Sequence, residues 1–335
     1  MTTYAVLNEK TVRPILNAHR STLEALHKIE DDLKSRFILM DDPVRALILA
    51  VATGEPMLFI GPPGTAKSRL IRAFCEWIGV IDRNKPTKHP DYFEYLLTPF
   101  TEPSELFGYF NIEQAQRLTR LVRDTTNMMQ QAKVVYLDEV FNGSSAILNS
   151  ILAFMNERVF HDRGQIIDVK MQCMFGSTNI IPETSELRAV YDRFLIRCVV
   201  TNLEATPRRM VDLVTKGWTE TYSDKVTTPF TNLLDDLENF RNDLAQKADA
   251  IFYTSDSNFY GRLAQVVHEV RRRGLSEMSN RRMVKFLNLM LVHALYMGVQ
   301  TPRAPIAISD RELALWRFVV DRRNPVAETH LPREA

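Results

Sequence analysis

The sequence predicts an α/β domain followed by an all-α domain. Five short apolar runs lie between residues 57 and 200 and alternate with helical patterns, which is typical of a parallel sheet covered on both faces. From residue 206 to about residue 320 the pattern is almost wholly helical. Because 335 residues are many for one compact core, we predict two domains, at 1–204 and 205–335.

The composition is that of an ordinary soluble protein, with 45% hydrophobic and 25% charged residues. The net charge of +1 provides no overall attraction to nucleic acid or to an anionic membrane, so neither is expected as a partner. The first residues do not resemble a signal peptide, and the longest apolar run is too short to span a bilayer, which favours a cytoplasmic protein. The cysteines, Cys75, Cys173 and Cys198, lie far apart in apolar segments, which favours core positions over a disulfide framework or a zinc site.

The chain opens with a helical pattern that leads into the first strand. Helical periodicity runs through residues 11–52, and Asp42 is a suitable N-cap with Pro43 at the first helical position. Gly54 is expected to end this helix. The five predicted strands are 57–60, 92–97, 133–139, 171–176 and 194–200.

Between the strands the sequence predicts further elements. A short capped helix over 101–107 is stopped by Gly108. Residues 109–130 are polar and lie between two core strands, so we expect an insertion that projects from the core. Residues 144–157 have helical apolar spacing, and a glycine-containing turn within residues 158–169 predicts a β-hairpin.

A Gly/Pro-rich turn joins the first strand to a helix. Such a turn directs consecutive backbone N–H groups and a helix N-terminus at one small volume, which suits a phosphate group. Lys67 would reach the β and γ phosphates of a nucleotide, Ser68 would ligate Mg²⁺, and Arg69 follows in the nucleotide-binding set. Ala66 stands where glycine is usual, and we expect it in the first helical turn with right-handed backbone angles. The complete turn consists of Gly61, Pro62, Pro63, Gly64, Thr65, Ala66, Lys67 and Ser68.

Two acids close the third predicted strand. An aspartate at the end of a buried strand helps to hold Mg²⁺ opposite the Ser or Thr of a phosphate loop, and Asp138 is placed for this role. Glu139 beside it can polarise an attacking water as a general base. Acids at strand ends are also common as solvated residues, but this pair follows four apolar positions and comes about 70 residues after a phosphate loop.

Two further polar residues flank the last strands. Asn179 follows the fourth strand at the edge where ligands of open α/β sheets bind, and there it could orient a water or act as a plain turn residue. Arg193 precedes the fifth strand and could stabilise charge on a γ-phosphoryl group in its own chain or in a neighbour. A surface arginine paired with Asp192 is the other interpretation.

These motifs together resemble the MoxR family of AAA+ ATPases, close to its RavA branch. The resemblance covers nearly the whole chain, and alanine before the phosphate-loop lysine is a habit of that family. It is carried by residues 61–68, 93–96, 105–108, 135–139, 146–149, 155–158, 177–179 and 191–197.

The resemblance implies an AAA+ core whose five strands have the order 5-1-4-3-2, with an α-helical lid. Asp138 would bind Mg²⁺, Glu139 would be the catalytic base, Asn179 sensor 1 and Arg193 an arginine finger for the adjacent subunit. Arg281 resembles sensor 2 and is a better candidate than Arg282. Residues 109–130 would be the helix-2 insert and 158–169 the pre-sensor-1 hairpin.

The resemblance also implies partners. We expect a homo-oligomeric ring, of six subunits in relatives, which hydrolyses ATP to remodel a protein client, and a von Willebrand factor A domain protein is the expected client. Because few residues follow Trp316, the client is expected to meet the core or the N-terminal helices. The alternatives are a nucleotide-dependent assembly switch with little turnover, a nucleic-acid motor or a small-molecule kinase.

Overall fold

A computed structural model describes residues 3–82, 85, 89–111, 122–162, 165–222, 229–247 and 257–320. Up to the end of the third core strand, the elements are β1 (Thr3–Val6), α1 (Glu9–Ala18), α2 (Arg20–Arg36), α3 (Asp41–Thr53), β2 (Met57–Ile60), α4 (Lys67–Trp77), β3 (Tyr92–Leu96), α5 (Pro103–Phe107), β4 (Phe110–Asn111), β5 (Val122–Arg123) and β6 (Val134–Asp138). The chain continues with α6 (Ser145–Glu157), β7 (Val159–Asp162), β8 (Gln165–Asp168), β9 (Cys173–Thr178), α7 (Ser185–Arg193), β10 (Ile196–Val199), α8 (Pro207–Tyr222), α9 (Leu233–Gln246), α10 (Ser257–Arg272), α11 (Asn280–Gly298), β11 (Ala307–Ser309) and α12 (Asp310–Leu313).

A parallel sheet of five strands forms the centre of the protein. Its order is β10-β2-β9-β6-β3, which confirms the predicted order 5-1-4-3-2 when the core strands are numbered along the chain. Because all five strands run in the same direction, their carboxyl ends share one edge. The connections that follow β2, β6 and β9 therefore emerge next to one another.

The sheet is buried on both faces, which explains the uninterrupted apolar runs. Along β2, Met57 and Phe59 join one hydrophobic cluster, while Leu58 and Ile60 join a second cluster on the opposite face. Strand β6 divides in the same way, because successive side chains of a strand point to opposite faces. Helices α2, α3 and α4 cover the first face, and α5, α6 and α7 cover the second.

The helix before β2 differs at its start from the prediction. Asp42 is not the N-cap, because α3 begins at Asp41 and its N-cap is Met40, which makes no side-chain capping bond. The two acidic residues lie inside the first turn, where negative charge still favours the helix dipole. At the other end Gly54 adopts φ +70° as the left-handed C-cap, so the predicted stop is confirmed.

A small sheet outside the core was not predicted. Strand β1 pairs in antiparallel fashion with β11, although the segment after residue 206 was expected to be almost wholly helical. The pairing joins residues about 300 positions apart in the chain, so local periodicity does not reveal it. Hydrophobic side chains of α9, α10 and α11 belong to the same buried cluster as α2 and α3. The division at 204/205 stays a prediction.

The predicted insert (109–130) and the predicted hairpin (158–169) each contain a pair of short antiparallel strands. Strands β4 and β5 pair within the predicted insert, whose residues 112–121, including Arg117 and Arg120, lie outside the described residues. Strands β7 and β8 form the predicted hairpin, while turn residues 163–164 lie outside the description. Cys75, Cys173 and Cys198 are all buried, as expected. Within the described segments, no helix combines the length and the apolar character that crossing a membrane requires.

Candidate functional site

The phosphate loop is held between the ends of β9 and β10. Its first residue, Gly61, donates its backbone N–H to the carbonyl oxygen of Thr178 at 2.9 Å. A Cβ atom on Gly61 would lie 1.9 Å from the carbonyl oxygen of Val200, so no other residue fits there without moving the backbone. Gly64 has φ +81°, which favours glycine as well. Glycine is thus required at position 61 by lack of space and favoured at position 64 by the backbone conformation.

Lys67 is the first residue of α4, and its side chain lies beneath the loop. With 7% of its surface exposed, it donates from Nζ to the carbonyl oxygens of Gly61 at 2.8 Å and Pro62 at 2.7 Å. Burial lowers the pKa of the Lys67 ammonium, and the nearby charges of Asp138 and Glu139 oppose this shift. The charges of Lys67, Asp138 and Glu139 therefore influence one another, while the roles predicted for these residues stay predictions.

Ala66 does not have the backbone conformation that was expected. Its φ of +61° and ψ of +20° are left-handed, and it is the N-cap of α4 rather than a residue of the first turn. The helix begins one residue later than assumed, so Ala66 closes the turn of the loop. A left-handed residue other than glycine costs about 1–2 kcal/mol, and such strain is common at functional sites.

Asp138 and Glu139 lie at the end of β6, which is separated by β9 from β2, the strand that leads into the phosphate loop. Glu139 also has a left-handed backbone, with φ +49°, and its Oε2 atom is buried without a hydrogen-bond partner among the described residues. Asp138 accepts at Oδ1 from the backbone N–H of Glu139 at 3.1 Å and from the Ser177 hydroxyl. One carboxylate is thus held in place, and the other has an oxygen left to accept a proton.

Asn179 follows β9, the strand that lies between β2 and β6. It is exposed, and the preceding residue, Thr178, pairs in register with Ile60 at the start of the phosphate loop. The neighbouring turn is held by the Thr178 hydroxyl, which donates to the carbonyl oxygen of Ile180 at 2.8 Å. Asn179 therefore lies at the same sheet edge as Lys67 and Asp138.

Arg193 lies at the opposite edge. It is the last residue of α7, and β10 starts three residues later with Ile196, which pairs with Met57 at the start of β2. Arg193 therefore lies near the amino ends of the strands. Its Nε atom is buried and has no hydrogen-bond partner among the described residues. Asp192 instead pairs with Arg282 at 2.9 Å and Arg197 at 3.7 Å, which removes the simple surface pair with Arg193 as an explanation.

The two arginines that open α11 differ sharply. Arg282 is buried and donates to the carbonyl oxygens of Asp192 (2.9 Å), Leu195 (3.1 Å) and Val319 (2.6 Å). Arg281 is exposed. Because Arg282 bonds to Asp192, the start of α11 lies beside the segment that carries Arg193. The structure does not bring these two regions to the edge that holds Lys67.

A cavity of about 750 Å³ opens beside the phosphate loop. Gly64, Thr65, Ala66 and Arg69 form one wall, while residues 36–40, 42–43 and 199–204 and helix α8 form the others. Sequence reasoning missed these walls, and the apolar run 37–40 between two helices is the signal that could have indicated them. A volume of this size beside a phosphate-binding turn could hold a nucleoside.

Arg69 lines this cavity and also belongs to an ion-pair cluster. It donates to Glu220 of α8 at 2.5 Å and to Glu76 at 3.0 Å, and Arg36 of α2 donates to Glu220 at 2.6 Å. Burial raises the pKa of Glu76, and the positive charges of Arg69 and Arg36 oppose this rise. The cluster ties α8 to the phosphate-loop helix α4 and to α2.

The residues that could hold a cation are few. Ser68, in the first turn of α4, and Asp138 supply oxygen atoms of the kind that Mg²⁺ prefers. No group of three or more His, Cys, Asp or Glu that could hold a metal occurs in the described part of the chain. A magnesium ion here would therefore complete its shell with phosphate oxygens and water, as it does in nucleotide sites.

Residues 24–241 match the bpMoxR family, described as the MoxR domain in the MoxR-vWA-beta-propeller ternary systems. The chain is 36% identical over 211 residues to the uncharacterized protein MJ0079 of Methanocaldococcus jannaschii, covering 63% of this chain and 52% of that protein. It is 24% identical over 191 residues to the chaperone protein ClpB of Clostridium tetani, covering 52% of this chain and 21% of ClpB. The chain spans about half the length of MJ0079 and of a second uncharacterized protein of that organism, MJ0812.

A solved structure from Cytophaga hutchinsonii, described as that of a candidate ATPase, shares the fold. Its TM-score is 0.58 at 14% identity, and the likeness covers 93% of this chain and 99% of that one.

Proposed function

The chain belongs to the bpMoxR family of MoxR-domain AAA+ ATPases, and from this premise we propose that it uses the hydrolysis of Mg²⁺-bound ATP to remodel a protein partner. The observation that carries the proposal is the convergence of Lys67 with Asp138 and Glu139 at one sheet edge, beside a turn in which a Cβ on Gly61 would strike the Val200 carbonyl. The adjoining cavity has room for the nucleoside.

Each residue at this edge has a proposed role. Backbone N–H groups of residues 61–68 and the N-terminus of α4 bind phosphate, and Lys67 exchanges its two carbonyl partners for the β and γ phosphates. Ser68 and Asp138 would hold Mg²⁺, which supplies neutralisation of the charge on the phosphates. The buried Oε2 of Glu139 accepts a proton from the attacking water, which Asn179 helps to orient.

We propose that the site is completed by a second copy of the chain. Arg193 precedes the amino ends of the strands, away from its own Lys67, and its buried Nε lacks a partner among the described residues. An arginine with these properties can stabilise the γ-phosphoryl charge of a neighbouring subunit. Arg281, beside the same segment, is proposed to act with it as sensor 2.

A closed ring completes such a shared site in every subunit, and a hexamer is the proposed assembly. The family description supports a client with a von Willebrand factor A domain, because MoxR domains of this kind occur in ternary systems with vWA and beta-propeller components. Similarity to the chaperone protein ClpB supports a remodelling activity. Membership in the RavA branch, proposed from the sequence motifs, rests on those motifs alone.

The test is the release of phosphate from ATP by Glu139→Gln, with Glu24→Gln on the surface of α2 as the matched control. Loss of the general base is expected to lower turnover by about 10²–10⁴-fold while ATP binding persists. Glu24→Gln should retain wild-type turnover. Equal turnover in Glu139→Gln and wild type, or a wild-type chain that binds no ATP, would overturn the proposal.

A further inference from the structure

A chain of three hydrogen-bonded side chains ends on Asp138, and its other two members, Tyr136 and Ser177, have no role in the proposed function. The Tyr136 hydroxyl lies 2.8 Å from Oγ of Ser177, and Oγ of Ser177 donates to Oδ1 of Asp138. Tyr136 and Ser177 are both completely buried. Tyr136 and Asp138 share a face of β6, and Ser177 reaches them from β9, where Leu137 pairs with Gly176.

The direction of the protons in this chain follows from the available donors. An ionised carboxylate only accepts hydrogen bonds, so the single hydroxyl proton of Ser177 points at Asp138. Ser177 then has only lone pairs to offer to Tyr136, and the phenol must donate to Ser177. Tyr136 therefore keeps the serine proton directed at the carboxylate.

The chain also distinguishes the two oxygens of Asp138. Oδ1 accepts from Ser177 and from the backbone N–H of Glu139, while Oδ2 accepts none of the described hydrogen bonds. Two donors on one oxygen resist rotation of the carboxylate, and Oδ2 is left without a donor among the described hydrogen bonds. Partners behind a metal ligand commonly orient it and contribute about 10–100-fold to metal affinity or activity.

We propose that Ser177, oriented by Tyr136, is a positioning residue that fixes the Asp138 carboxylate so that Oδ2 faces the cation of the bound nucleotide. The proposal rests on the proposed function in one respect only, namely that a cation accompanies the nucleotide at Asp138. Neither Tyr136 nor Ser177 touches the nucleotide in this account, and both act through Asp138.

The experiment measures Mn²⁺ affinity by electron paramagnetic resonance, with the full chain saturated by the β,γ-imido analogue of ATP. We expect Ser177→Ala to weaken Mn²⁺ binding by about 10-fold or more. Tyr136→Phe deletes only the phenolic oxygen and is expected to weaken it by about 3-fold, because the serine proton is then free to turn away. Tyr136→Phe carries the test if Ser177→Ala fails to fold.

Cys173→Ala is the matched control for a general loosening of β9. It shortens a buried side chain at the amino end of the same strand, away from the sheet edge that holds Asp138. Cys173→Ala should therefore keep the wild-type Mn²⁺ affinity, and thermal unfolding of the apo variants measures any stability loss that they share. If Cys173→Ala weakens Mn²⁺ binding as much as Ser177→Ala does, the positioning role is overturned.

The outcomes separate the two proposals. If Ser177→Ala and Tyr136→Phe hydrolyse ATP as fast as the wild-type chain and bind Mn²⁺ with unchanged affinity, the positioning role alone is overturned. A chain without turnover whose Mn²⁺ affinity still depends on Ser177 would support positioning and overturn the hydrolytic function. A wild-type chain that takes up no Mn²⁺ with the analogue present would overturn both.

Discussion

Arg193 is the residue whose placement has the largest consequence. It lies at the amino edge of the sheet, whereas Lys67, Asp138 and Glu139 lie at the carboxyl edge. Its buried Nε has no partner among the described residues, which is costly unless another molecule supplies one. A residue so placed favours a role in a neighbouring subunit.

Arg193→Ala is therefore expected to lower ATP turnover by about 10³-fold, equivalent to about 4 kcal/mol of barrier, with ATP affinity nearly unchanged. Arg188→Ala, an exposed change on the same helix, should leave turnover at the wild-type level. Mixing Arg193→Ala chains with Glu139→Gln chains should restore part of the turnover, because one supplies the base and the other the finger. A mixture as inactive as its components would refute a site shared between subunits.

At the scale of elements, a buried polar network joins α2 and α3 to α11. Glu30 of α2 accepts from Arg45 of α3 at 2.5 Å and from the Tyr296 hydroxyl of α11. Arg45 also donates to Nε2 of His293 at 3.1 Å, and Nδ1 of His293 lies 2.9 Å from Glu312. The N-terminal helices are thus bonded to the helices that follow the core, and this network accompanies the pairing of β1 with β11.

Two histidines in this region make the stability of the fold depend on pH. Burial lowers the pKa of His27 and of His293 below 6.5, with Glu30 and Glu312 opposing the respective shifts. A second N–H on either ring would meet a donor, from Gln300 at His27 and from Arg45 at His293. As the pH falls through 6.5, these two histidines therefore bind protons more readily in the unfolded chain than in the folded chain, and the folded state loses stability.

Thermal unfolding between pH 7.5 and 5.5 should accordingly show a midpoint that falls as the pH falls. His27→Gln and His293→Gln should each flatten this dependence, because the unfolded chain then loses one group that binds a proton in this range. His268→Gln is the control, since His268 is exposed. A slope that survives the double change His27→Gln and His293→Gln would show that other groups cause it.

At the scale of the whole molecule, Arg282 ties the start of α11 to the core and to the C-terminal segment. One buried guanidinium donates to the Asp192, Leu195 and Val319 carbonyls. Asp192 and Leu195 belong to one segment before β10, whereas Val319 lies far from them in sequence. The neighbouring Arg281 is exposed.

The pair offers a matched comparison. Arg282→Ala leaves several carbonyl groups without their donor and is expected to lower the free energy of unfolding by about 3–5 kcal/mol. Arg281→Ala should change stability by less than about 0.5 kcal/mol but lower ATP turnover, as sensor 2 would. Chemical denaturation and phosphate release measure the two effects. If Arg281→Ala retained full turnover, the sensor 2 assignment would be lost.

The elements that the sequence predicted well have causes that are local in the chain. A strand buried on both faces is recognisable from its uninterrupted apolar run, and the phosphate loop from Gly61, Gly64 and Lys67 between such a run and a helix. The errors at Asp42 and Ala66 are shifts of two residues and one residue at a helix start, where the chain can satisfy the first turn in more than one way.

By itself, the sequence determined the five strands, the loop and the acids at the end of β6, because each depends on residue types within a few positions. Only the tertiary structure decided which hydroxyl holds Asp138, which of Arg281 and Arg282 is buried, and what walls the cavity. Ser177 is 39 positions from Asp138, and Arg282 is 90 positions from Asp192. Contacts over such separations arise from the packing of whole elements, which no local pattern of residues records.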